Sequence, residues 1–321
     1  MRRAAKSALA SVVLLVLAAA SAGQMLGGSV LRPSRLKLAP NLVAHADEAF
    51  KRAGAAREDL EVRAHDGILL RGWKVRPRQP NGDWVMLFHG VSDNRTGMLG
   101  YAEFLLRAGY SVVMMDARAH GASEGEMATY GWKERYDAGA IIDALLAGEN
   151  VDHLFVLGES MGAAIALQSA AIEPRIAGVV AESSFSDLRE VSYDYAGLRL
   201  NPWLGKTIFR PAAFIGLSNL EKDGGFKATD VSPVRAVAAR PFPILLICGT
   251  RDHNIPCRHS QLILQAAVGP KELWVVRGAG HTGARGKAPA EFERRVLALY
   301  RGIHAADDCR AGVPDCPVRL P

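Results

Sequence analysis

The sequence predicts an α/β protein: a mostly parallel, doubly wound sheet with an N-terminal β-hairpin and a short helical cap insertion. Three observations lead there. Short, nearly continuous apolar runs recur along the chain, each leading into a stretch of helical periodicity. Strands covered by helices on both faces read this way, because neither face can be polar. The first pattern is different, with two strand-like runs either side of Asp66-Gly67, which is a hairpin signal. Finally, the alternation stops between residues 186 and 240 and then resumes, as an excursion from one end of a sheet would make it do.

Taken in order, residues 1–31 read as an export segment. Arg2, Arg3 and Lys6 precede an apolar run from Ala8 to Ala22, and Ala20-Ser21-Ala22 offers a small-residue cleavage site. That is the layout of a secretory signal, and the run is shorter than the roughly 20 residues a spanning helix prefers. Gln24, Met25 and Leu26 extend it mildly, so cleavage and retention as a signal-anchor both stay open. Retention implies membrane association through residues 8–26, with the bulk of the chain facing outward. The expected location is extracytoplasmic in either case. Residues 32–58 read as a polar connector with weak helical character, 59–304 as the folded body and 305–321 as a Cys- and Pro-containing tail.

Within the body, strands are expected at Trp84–Phe88, Ser111–Met115, His153–Leu157, Ile176–Ala181, Pro243–Cys248 and Glu272–Val276. Helices are expected at Arg95–Ala108, Lys133–Ala147, Met161–Ile172, His259–Ala267 and Pro289–His304. The excursion at 186–240 holds Trp203, Phe209, Phe214 and Phe226 with no strong strand, and reads as a small cap or a plain packed loop.

Composition narrows the function classes. The 321 residues are 49% apolar and 22% charged, enough to bury a sizeable core and far from disorder. The net charge of +6 comes from scattered arginines without interleaved aromatics, so no nucleic-acid partner is expected. Four cysteines do not make a disulfide scaffold in a chain this long. Cys309 and Cys316 suit a small closed loop after export, Cys248 sits in an apolar strand as a buried small hydrophobe, and Cys257 lacks a partner at metal spacing. No metal and no cofactor are expected.

The strongest chemical signal is Gly158-Glu159-Ser160-Met161-Gly162, directly between an apolar strand and a helix-forming run. A serine on a sharp strand-to-helix turn needs small neighbours two positions before and after, where the backbone doubles back. The helix that follows points its N-terminus at any negative charge developing there. A serine hydroxyl needs an adjacent base. Of nine histidines, His281 lies after the last strand in the small-residue loop R-G-A-G-H-T-G, which lets an imidazole project over the sheet end. The orienting carboxylate belongs at the end of the preceding strand. Asp252 is placed for this, with Glu182 and Asp187 as competitors and His253 and His259 as peripheral neighbours. The order Ser160, Asp252, His281 fits such a sheet. An oxyanion needs two fixed N–H donors, which the backbone amides of Met161 and Val91 would supply. Gly90 would permit the turn that presents Val91, and His89 would prop that loop.

These residues carry a resemblance. H-G-V-S-D-N from His89, D-A-R-A-H-G-A-S-E-G from Asp116, T-Y-G from Thr129, G-E-S-M-G, G-T-R-D-H-N-I-P and G-A-G-H-T together resemble the α/β-hydrolase superfamily. Its bacterial serine-aminopeptidase-like and esterase-like members, often with an N-terminal membrane segment, are the nearest in pattern. The likeness runs from about Glu61 to Arg301. It implies the α/β-hydrolase fold and acyl transfer without cofactor on a small-molecule ester or amide. By the same resemblance Ser160 is the nucleophile, His281 the base, Asp252 the acid, and Val91 and Met161 the oxyanion donors. The insertion at 186–240 and the Cys-containing tail depart from the pattern and leave the substrate open.

Overall fold

The structure, a computed structural model, describes residues 30–197 and 202–310. The expected export segment and Cys316, hence the expected Cys309–Cys316 bridge, lie outside the described residues. Among those residues no helix is long and apolar enough to cross a membrane.

The chain opens with helix α1 (Pro40–Arg52) and strands β1 (Ala55–Arg63), β2 (Leu69–Pro77) and β3 (Trp84–Phe88). Next come α2 (Leu99–Arg107), β4 (Ser111–Met115), α3 (Glu134–Leu146), β5 (Leu154–Glu159), α4 (Met161–Ile172) and β6 (Ile176–Glu182). Helices α5 (Leu188–Gly197), α6 (Pro202–Lys206), α7 (Arg210–Gly224) and α8 (Pro233–Ala239) occupy the excursion. The fold closes with β7 (Ile244–Gly249), α9 (Arg258–Ala266), β8 (Lys271–Val276), α10 (Ala284–Lys287) and α11 (Pro289–Arg310).

All eight strands form one sheet in the order β1-β2-β4-β3-β5-β6-β7-β8. β1, β2 and β4 pair antiparallel, and every pair from β4 through β3 to β8 is parallel. This is the expected fold class. Successive side chains of a strand point to opposite faces, and β3 divides accordingly. Trp84, Met86 and Phe88 join the core under α3, α4 and α8, whereas Val85 and Leu87 join the core under α1, α2 and α11. Both cores are built of buried apolar side chains, which is why the apolar runs are continuous.

Three elements differ from expectation. The connector contains the regular helix α1, which buries Ala46, Ala49 and Phe50. The first hairpin strand also begins at Ala55 rather than Asp59, pairing Ala55 with Pro77. The excursion is divided: α5 to α7 form a cap with its own core of Leu188, Val191, Leu217, Leu220 and Phe226. Helix α8 returns to the body, where Val237 enters the sheet-face core.

Candidate active site

The C-terminal ends of the parallel strands lie along one rim, where open α/β sheets gather ligands. His89 follows β3, Ser160 follows β5, Ser183 follows β6, Asp252 lies three residues beyond β7, and His281 lies five beyond β8. Ser160 has φ 53° and ψ −116°, a conformation costly for a residue with a side chain. Its amide donates to Glu182 O at 2.8 Å. The flanking glycines make the turn sterically feasible. A Cβ at Gly158 would lie 2.2 Å from Gly162 O, and one at Gly162 would lie 2.1 Å from Phe88 O.

The fold brings the three expected side chains together. His281 Nε2 lies 2.9 Å from Ser160 Oγ, and His281 Nδ1 lies 2.9 Å from Asp252 Oδ2. The other carboxylate oxygen, Asp252 Oδ1, accepts from the amides of Asn254 and Ile255 at 3.0 and 2.8 Å. Burial opposes the charge on Asp252, yet the His281 ring, the Ile255 amide and the Ser183 hydroxyl hold its carboxyl below the ordinary range. With that carboxylate accepting at Nδ1–H, Nε2 is left to accept from the serine. The two competitors are engaged elsewhere. Asp187 Oδ1 accepts from the amides of Arg189 and Glu190 at the start of α5. Glu182 Oε1 accepts from the Ala284 amide at 2.8 Å.

The loop after β3 is propped by two buried histidines. His89 Nε2 accepts from the Ala117 amide at 3.0 Å, so its proton sits on Nδ1, which faces Gly90 O at 2.7 Å. His120 does the same one layer on, accepting from the Ser92 amide at 3.1 Å and facing Arg118 O at 2.9 Å. Burial lowers the pKa of both, that of His120 to about 4, which keeps each ring neutral for this mixed donor–acceptor role. Gly90 packs against the site, since a Cβ there would sit 3.6 Å from Ser160 Cβ. Within this turn Ser92 takes the left-handed conformation, φ 63°. Val91 and Met161 both border the same cavity as Ser160.

That cavity measures about 250 Å³ and lies between the rim and the cap, walled by Val91, Phe185, Val191, Ala213, Leu217 and Ile255 among others. No acidic side chain lines it among the described residues. The cap is held down by a second, buried Ser–His–Asp chain. Ser186 Oγ lies 2.8 Å from His259 Nδ1, and His259 Nε2 lies 2.7 Å from Asp194 of α5. Thus His259 is part of the cap's anchorage, while His253 is exposed.

Three features of the site escaped sequence reasoning. Cys248 is buried as expected, but it is no free thiol: it is bonded to Cys257. The loop between them doubles back, with Asp252 N donating to Gly249 O, and brings their Cα atoms to 5.4 Å. The bond closes a ring around Asp252. Ser183, φ 55°, accepts from the Thr282 amide at 3.2 Å, tying the histidine loop to the carboxylate it serves. The third is an acid pair beside the nucleophile, Glu182 buried and Glu159 partly buried. Tyr101 OH stands 3.0 Å from Glu159 Oε2 and 2.9 Å from Glu182 Oε2. One phenolic proton cannot satisfy two carboxylates, so the pair holds a further proton.

Burial accordingly raises both carboxyls, Glu159 to about 7 from 4.5. The folded state therefore keeps a proton that the unfolded chain releases first. This contribution to stability is full below about pH 4.5 and is lost as pH rises through about 7. Urea unfolding of wild type and Glu159→Gln at pH 5 and pH 8 checks this. The wild type should lose more stability than the variant over that interval, and parallel curves would contradict it.

Residues 79–222 match the family model described as serine aminopeptidase, S33. The chain is 29% identical over 236 residues to protein YqkD of Bacillus subtilis, covering 72% of this chain and 74% of that one. It is 25% identical over 232 residues to YfhR of Escherichia coli K12, covering 71% and 74%. Among solved structures it is similar to the esterase Pf2001 of Pyrococcus furiosus, at 26% identity and TM-score 0.67, covering 85% of this chain and 97% of that one. Est1E of Butyrivibrio proteoclasticus, bound to ferulic acid, shares the fold at 18% identity and TM-score 0.59, covering 74% and 98%.

Proposed function

The chain belongs to the α/β-hydrolase superfamily, and we propose that it cleaves carboxylic esters of small apolar acyl groups through an acyl-enzyme formed on Ser160. One observation carries the proposal: the unbroken path from Ser160 Oγ through His281 to Asp252, opening on an apolar cavity. His281 takes the hydroxyl proton as Ser160 attacks the carbonyl, and Asp252 stabilises the imidazolium that results. The amides of Met161 and Val91 receive the oxyanion, each such donor contributing on the order of a hundredfold or more in rate. His281 then protonates the leaving alcohol, and water repeats the cycle.

The family match favours a second reading, an aminopeptidase with the same three residues. An aminopeptidase must hold a substrate ammonium, which an uncharged apolar wall cannot stabilise. The lining of this cavity supports a neutral acyl group. We also propose that the protein works outside the cytoplasm. The charged, apolar and small-residue succession before Gly23 and the Cys248–Cys257 bond both support export, because such bonds persist in oxidising compartments.

Turnover of a p-nitrophenyl ester series and of aminoacyl anilides tests the reading. Esters should exceed anilides by roughly a hundredfold or more in kcat/KM, the margin an unpaired buried charge imposes. Ala213→Leu, which narrows the cavity, should raise KM for the hexanoate about tenfold and leave the acetate nearly unchanged. Faster anilide than ester turnover would overturn the ester reading.

A further inference from the structure

At the opposite rim of the sheet, three side chains from distant parts of the sequence meet. Asp83 immediately precedes β3, His153 immediately precedes β5, and His304 lies on α11. His153 Nδ1 lies 3.3 Å from Asp83 Oδ1, and His304 Nε2 contacts Asp83 Oδ2. The two imidazoles meet edge to face at 4.1 Å between centroids. One donor atom of each residue lies within 4.8 Å of the other two.

The sheet fixes two of these residues before any ion is considered. Asp83 O accepts from Ser111 N at 3.0 Å, and Trp84 N donates to His153 O at 2.9 Å. Asp83 Oδ1 also accepts from the His153 amide at 3.2 Å. The Asp83 side chain is fully buried, while those of His153 and His304 are 19% and 33% exposed. The Asp83 carboxylate is therefore out of contact with solvent, whereas the two imidazoles that touch it are partly exposed. Among the described residues its charge partners are those two rings. A carboxylate removed from water demands a compensating positive charge.

We propose that Asp83, His153 and His304 bind one divalent cation of the zinc class. Two imidazole nitrogens and a carboxylate oxygen suit that class, whereas calcium and magnesium favour all-oxygen sets. Solvent completes the coordination on the open side. The site is distant from the nucleophile, because the length of β5 separates His153 from Ser160, roughly 20 Å. Its role is to clamp the C-terminal helix to the lower rim, and no step of ester cleavage passes through it. Sequence reasoning found no metal because positions 83, 153 and 304 have no spacing pattern and converge only in the fold.

Full-length protein stripped with EDTA and dialysed is titrated with zinc chloride by calorimetry and followed by thermal melting. The expected result is one equivalent bound and a rise in Tm of about 5 °C, both lost in His304→Ala and in His153→Ala. Magnesium and calcium chlorides should produce neither. Ester turnover, read in parallel, establishes that the variants are folded. Absence of saturable zinc uptake would overturn the proposal, and so would uptake undiminished in both folded variants.

Discussion

Ser160→Ala should reduce turnover of short p-nitrophenyl esters by roughly a millionfold, as expected when the nucleophile of a triad is lost. The fold should hardly register the change. Alanine keeps the Cβ, so it inherits the left-handed backbone at φ 53° without relieving or adding to its strain. What disappears is one hydroxyl and its hydrogen bond to His281, worth about 1 kcal/mol of stability. Labelling with a fluorophosphonate probe should vanish with activity, and the label on wild type should map to Ser160. A variant that folds and retains most of its turnover would remove Ser160 from the chemistry.

Asp252→Asn should lower kcat about ten-thousandfold, with little change in KM. An amide is nearly isosteric, and its oxygen can still accept from the Asn254 and Ile255 amides that now hold Oδ1. Its nitrogen then faces His281 Nδ1 as a donor. The imidazole must accept there and carry its proton on Nε2, the position from which it should receive the proton of Ser160. The same experiment separates the carboxylates that sequence alone left in competition. Glu182→Gln keeps the contact to Ala284 and Asp187→Asn keeps the start of α5, so each should reduce kcat by no more than about tenfold. A larger loss at Glu182 than at Asp252 would reassign the acid.

Much of this architecture is legible in the chain itself, for a physical reason. Strands buried on both faces cannot hide: W-V-M-L-F and S-V-V-M-M stand out as apolar runs and are β3 and β4 with the same limits. Helix α1 is harder to see, because two of its three buried residues are alanines, which look alike on a buried and an exposed face. The turn around Ser160 is visible because steric crowding leaves only glycine at 158 and 162. Contacts that depend on how loops fold back are not visible. Nothing local in I-C-G-T-R-D-H-N-I-P-C says that the first cysteine reaches the second. Ser183 and Tyr101 likewise look ordinary until β6 and α2 set them against the rim.

The cap is a single detour of the chain between β6 and β7, and every strand end carrying Ser160, Asp252 or His281 lies outside it. On the proposed reading, the triad and the cap's share of the cavity wall, Val191, Ala213 and Leu217 among it, are consequently written in separate stretches of polymer. A lineage can lengthen, shorten or replace residues 188–224 and present a new wall to the substrate without disturbing the atoms that react. Inheritance of the proposed reaction and drift of its target are separable to the extent that the cap forms that wall.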